Sequence, residues 1–244
     1  RGAPPIDRIL REGVVRRLHL LPGRYEVDRF KLEGSFAVVG AGADEVALVS
    51  RERGAAFELT EPGSSLRLSG LTLRPAKPGD DRAGWFRGAL LQSGRLVIED
   101  CGFEDYTEAG VEVSASPASR TSPPQLELRN VTLKRAGGCQ LRIAAGRAAL
   151  TDIRLLDPGA SFKRGGNIPA VEITGQARVS MTRLRAEHIR SGFLHMSDQL
   201  DAAYDGPLPP WDPSARPARS LEIRELHLKA TTNYGVAIAG SGSV

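Results

Sequence analysis

Six stretches of the chain repeat one eight-residue pattern of apolar, any, apolar, any, turn-former, apolar, any, apolar: 66–73 (LRLSGLTL), 96–103 (LVIEDCGF), 126–133 (LELRNVTL), 148–155 (AALTDIRL), 179–186 (VSMTRLRA) and 221–228 (LEIRELHL). A recurring unit of this kind dictates the whole architecture, because each copy must bury its apolar face against the next. Apolar residues two apart have the period of a half-buried strand, and the alternation slips by one at the fifth position. That position holds Gly70, Asp100, Asn130, Asp152, Arg183 and Glu225. Gly, Asn and Asp tolerate a left-handed backbone, so each copy is expected to be strand, one-residue corner, strand.

A shorter motif precedes most copies, at 57–59, 89–91, 111–113, 141–143, 171–173 and 236–238. Three short strands per repeat make a coil. Successive long motifs start 30, 30, 22, 31 and 42 residues apart, so a constant strand frame carries turns of variable length. An antiparallel sandwich also alternates between turns, but does not return the same corner in the same place six times. The reading is all-β: a right-handed parallel β-helix of about seven coils. Ile6, Ile9, Leu10 and Val14 follow Pro4 and Pro5 at helical spacing, which predicts a short N-terminal capping helix. The expected division is a cap segment at 1–17 and one β-helical domain at 18–244, the whole being a piece of a longer protein.

Composition narrows the partners. The net charge is +4, with 33 basic against 29 acidic residues, a balance too even for a nucleic-acid binder. Arg supplies 28 of the basic residues and Lys 5, the usage of a GC-rich bacterial genome. No apolar run reaches the roughly 18 residues of a membrane span, so no direct membrane insertion is expected. Cys101 takes an inward position filled by Leu, Val or Ile in the other copies, and His19, His188, His195 and His227 show no metal-ligand spacing. Gly40-Ala41-Gly42 lacks the third glycine and the helix of a dinucleotide site. Neither metal nor cofactor is expected.

Two segments add a family likeness. Leu21-Pro22-Gly23-Arg24-Tyr25 and Val38-Val39-Gly40-Ala41-Gly42 resemble the opening turns of the pectate-lyase-like superfamily of right-handed β-helices, and the likeness continues through the later coils. It implies a fold and, by analogy, an extracytoplasmic location. It does not imply an activity, since the superfamily hosts lyases, hydrolases, epimerases, adhesins and scaffolds. The Gly-His-Gly and Arg-x-Lys segments of its hydrolases and the carboxylate calcium site of its lyases do not stand here intact. Asp80, Asp81 and His195 are the weak catalytic candidates, against a solvated loop for the two aspartates and a structural role for the histidine.

Binding candidates are clearer. The outward residue after the corner runs Thr72, Gly102, Thr132, Arg154, Arg185, His227, and its last three members form a basic stripe able to follow an acidic polymer. Trp85, Tyr204 and Trp211 fall in polar, Pro-rich excursions and suit sugar stacking or loop anchoring equally. Glu112, Arg142 and Glu172 are expected to pair on neighbouring rungs as a structural device. The leading reading is a non-catalytic binding or scaffold module for an acidic polysaccharide or a protein partner. A polysaccharide lyase or epimerase acting on an acidic glycan is the alternative. Self-association through the coil ends is a third.

Overall fold

The computed structural model describes residues 6, 9, 16–51, 53–76, 86–114, 116, 122–157, 168–189, 192–196, 220–229 and 234–238. Its strands are β1 (Arg17–Leu20), β2 (Gly23–Val27), β3 (Phe30–Leu32), β4 (Ser35–Gly40), β5 (Val46–Ser50), β6 (Gly54–Leu59), β7 (Ser65–Ser69), β8 (Thr72–Pro75), β9 (Phe86–Leu91), β10 (Arg95–Glu99), β11 (Gly102–Glu104), β12 (Val111–Val113), β13 (Gln125–Lys134), β14 (Leu141–Leu156), β15 (Val171–Glu187), β16 (Gly192–Met196), β17 (Ser220–Lys229) and β18 (Tyr234–Ile238).

Every pairing is parallel and joins one coil to the next. The first sheet runs β1, β4, β7, β10 and then the first halves of the long motifs in β13, β14, β15 and β17. The second runs β2, β5, β8, β11 and the second halves of the same strands. The third runs β3, β6, β9, β12, the starts of β14 and β15, then β16 and β18. This is a right-handed parallel β-helix.

The corners explain why the chain winds. Gly70, Asp100, Asn130, Asp152, Arg183 and Glu225 all have positive φ, between 50° and 63°, which turns the strand without breaking its register. At Gly70 the stack is also tight, since a Cβ there would lie 2.6 Å from the Gly40 carbonyl oxygen. A second left-handed column at Asp105, Arg135, Asp157 and His188 closes the far edge of the second sheet. The sequence reading had not singled it out.

Like residues stack inside. Leu66, Leu96, Leu126, Ala148 and Val179 form one buried column, and Leu71, Cys101, Val131, Ile153 and Leu184 another. Each buried aliphatic side chain contributes about 1.5–3 kcal/mol of transfer free energy, so the stack is held by repetition rather than by any single contact. In β17 the columns open: Leu221, Ile223 and Leu226 are half-buried and Leu228 is 37% exposed.

Most of the expected N-terminal capping helix lies outside the described residues; of residues 4–14 Ile6 and Ile9 are described, and Ile6 is buried in the common core. The short strand missing between the motifs at 179–186 and 221–228 is β16, whose Leu194 and Met196 pair with Val171 and Ile173. Its helpful apolar alternation was masked in the sequence by Phe193, which left the register of His195 ambiguous. With Leu194 and Met196 buried, His195 faces outward.

Candidate functional site

Outward columns of charge distinguish the faces. On the third sheet Glu112, Arg142, Glu172 and His195 occupy one column on successive rungs. Arg142 Nε donates to Glu172 Oε2 at 2.7 Å, its Nη1 lies 3.7 Å from Glu112 Oε2, and His195 Nδ1 lies 3.9 Å from Glu172 Oε1. Arg87 reaches the ladder from its side, with Nε donating to Glu112 Oε2 at 2.6 Å and Nη2 at 2.5 Å from Glu108 Oε2. Burial pushes the Glu108 carboxyl above the usual range, with Glu112 adding to the push and Arg87 and Arg142 opposing it. The Arg142 guanidinium is held charged by its neighbours despite the desolvation that works against it.

The long excursions leave and rejoin the chain at the two edges of this third sheet. Segments 76–86 and 157–168 lead into it, while 114–125 and 196–220 lead out of it. Asp80, Asp81, Trp85, Tyr204 and Trp211 belong to these excursions and lie outside the described residues. Of the catalytic candidates the structure describes His195, which it brings together with Glu172.

The same alternation of sign appears at the corners. Arg135 donates from Nε and Nη2 to Asp105 at 2.5 and 2.9 Å, and His188 Nδ1 is 3.0 Å from Asp157 Oδ1. On the first sheet Arg67 and Arg129 both pair with Glu99, and Arg95 and Arg129 both pair with Glu127. Opposite charges on neighbouring strands stabilise the stack modestly and reward correct register.

The basic stripe departs from this rule. Arg154, Arg185 and His227 are in register on consecutive rungs of the second sheet, and all three are exposed. Strands lie about 4.8 Å apart, so the two arginines stand on strands one spacing apart. Arg185 is steadied along its own strand by Glu187, with Nε donating to Oε1 at 2.6 Å. Arg183, beside the stripe, is committed to Asp152 through two hydrogen bonds of 2.5 and 2.7 Å, which hold the Asp152 carboxyl below its usual range. A second like-charged pair, Arg147 and Arg178, lies in register on the first sheet of the same two rungs. The sequence reading missed that pair, although the residue one step before each long motif carried the signal.

Both cysteines are free and buried, and burial pushes each thiol up to about 12. Among the described residues no cluster of three His, Cys, Asp or Glu side chains is arranged to hold a metal ion. Among them, too, no helix is long and apolar enough to cross a membrane.

No protein-family model matches the chain, and no curated protein matches it. Among solved structures it is similar to ORF18 of Geobacillus virus E2, with a TM-score of 0.42, 9% identity, and coverage of 91% of this chain and 54% of that one. It is also similar to the A-module of the Azotobacter vinelandii mannuronan C-5 epimerase AlgE4, with a TM-score of 0.29, 10% identity and coverage of 95% and 93%. A third is Pantoea stewartii WceF, described as a glycan biofilm modifying enzyme with a bacteriophage tailspike-like parallel β-helix fold, with a TM-score of 0.36, 12% identity and coverage of 89% and 33%. The chain spans about half, 54%, of the viral protein's length. At these identities the likeness is one of fold alone.

Proposed function

We propose that this chain is a β-helical binding module for an acidic glycan, which lies along the second sheet over Arg154, Arg185 and His227. One observation carries the reading: this exposed column sets Arg185 in register with Arg154 and His227 with Arg185, with no carboxylate between them in the column, whereas the ladders of the third sheet and the corners alternate in sign. Glu187 and Asp152 supply opposite charge to Arg185 and Arg154 from within the chain, and a linear polymer bearing carboxylates adds more of it rung after rung on the exposed side. A straight column suits an extended chain better than it suits a compact anion. An extracytoplasmic location belongs to this proposal, since long acidic glycans are polymers of cell surfaces and their surroundings.

A second reading, a lyase or epimerase acting on the same class of polymer, has its own support on the third sheet. There Glu108, with its raised carboxyl, stands beside Arg87 in a ladder that ends in His195, and a general acid needs this kind of tuned group. One screen separates the readings: acidic and neutral glycans on an array, followed by a depolymerisation and epimerisation assay on every glycan bound. Retention of acidic glycans without chemical change supports the binding module. Chemical change that disappears in Glu108→Gln supports the enzyme, and retention of neutral and acidic glycans alike overturns the charge-based reading.

A further inference from the structure

We infer that protonation of His227 sets the strength of the stripe's grip on an anionic ligand, so that binding takes up a proton and tightens as the solution becomes more acidic. The inference rests on the glycan-binding reading and adds its regulation. Its basis is placement. His227 pairs in register with Arg185 and is exposed on the outer face of β17.

The charges around it are specific. From β15, the strand paired with it, come Arg183, Arg185 and Glu187, and its own strand supplies Glu225 and Lys229. Arg185 is bonded to Glu187 and Arg183 to Asp152, so each acidic neighbour on that side already has a cation. A proton on the imidazole adds a third positive charge to a column that already has two. An anionic group bound over the stripe favours that proton, because it attracts the imidazolium as well as both guanidiniums.

The sign follows from linkage. Ligand raises the imidazole's affinity for protons, so protons must raise the protein's affinity for ligand by the same factor. The gain is complete below the free-state titration of the imidazole and is lost as pH rises through the bound-state value. Histidine is the side chain that changes charge between about pH 5 and 8, a window in which a glycan's carboxylates stay ionised.

The test is isothermal titration calorimetry of the whole chain with galacturonate oligomers, at about pH 5.5 and about pH 7.5, in buffers of different ionisation enthalpy, for wild type and for His227→Gln and His227→Lys. Wild type should bind about three- to fivefold more tightly at the lower pH, with net proton uptake. The Gln variant should retain the weaker, high-pH affinity at both pH values, and the Lys variant the stronger. His19, His188 and His195 remain in all three proteins, so a pH slope that persists in His227→Gln, or is absent from wild type, overturns the inference while leaving the stripe as a binding site. No binding at either pH, or binding untouched by Arg154→Glu, overturns the glycan reading itself and this inference with it.

Discussion

Asn130 stands directly over Asp100 at the same left-handed corner of successive coils, and its Nδ2 donates to Asp100 Oδ1 at 2.7 Å. Both have positive φ, 50° and 53°. The side chain that allows the turn also ties one turn to the next. A β-branched residue cannot adopt this backbone cheaply, so Asn130→Val should lower stability by about 1–2 kcal/mol while Asn130→Gly stays within a few tenths. Urea denaturation followed by circular dichroism reads the difference. Equal losses for the two variants would mean that the hydrogen bond, and not the corner geometry, matters at this position.

Arg142 joins two carboxylates that the third sheet brings onto flanking rungs. Glu112 is nearly buried, at 5% exposure, so its charge depends on the guanidiniums around it. Arg142→Met should cost about 1–3 kcal/mol, less than a fully buried pair because the arginine is partly exposed, and Glu112→Gln in the Met background should recover part of it. A double-mutant cycle in urea checks this. No recovery would mean that the packing of the arginine stem dominates.

Glu108 predicts a pH dependence of the opposite sign to that of most carboxylates. Burial raises its carboxyl above the usual range in the folded state, so its favourable contribution is present below the ordinary Glu value of about 4.3 and is lost as pH rises through the raised one. Glu108→Gln should therefore gain stability relative to wild type as pH is raised across that window. Comparing urea midpoints at about pH 4 and about pH 7 tests it, and a constant difference would show that Arg87 fully compensates the burial.

The cysteines report on the intact stack. With both thiols buried and raised to about 12, neither Cys101 nor Cys139 should react with a thiol reagent at mildly alkaline pH until the coils open. Labelling of both should rise together with the unfolding transition in urea. Early labelling of Cys139 alone would reveal local opening of the turn before β14.

Much of this architecture was legible in the chain because a coil imposes itself on every repeat. The corner residues could be named from the slip at Gly70, Asp100, Asn130, Asp152, Arg183 and Glu225, and all six have the expected backbone. Even Arg183 and Glu225, poor turn-formers alone, were placed by the column they share with Asp152. The second corner at Asp105, Arg135, Asp157 and His188 escaped because it follows each motif without a fixed residue type. The Glu112–Arg142–Glu172 pairing was legible, being residues at equal offsets, but its junction with Arg87 and Glu108 was not, since Arg87 stands near the start of β9 outside that column and Glu108 comes from the turn before β12. Periodicity specifies what stacks, and leaves open what the turns fold back to touch.

The most direct measurement is the affinity of a fluorescent acidic oligosaccharide for wild type and for the double reversal Arg154→Glu/Arg185→Glu, followed by anisotropy at low and at moderate salt. Both residues are exposed, so the variant should fold as wild type does. The account predicts a loss of about tenfold or more at low salt, and a much weaker salt dependence in the variant than in wild type. Equal affinity and equal salt dependence in the two proteins would contradict it.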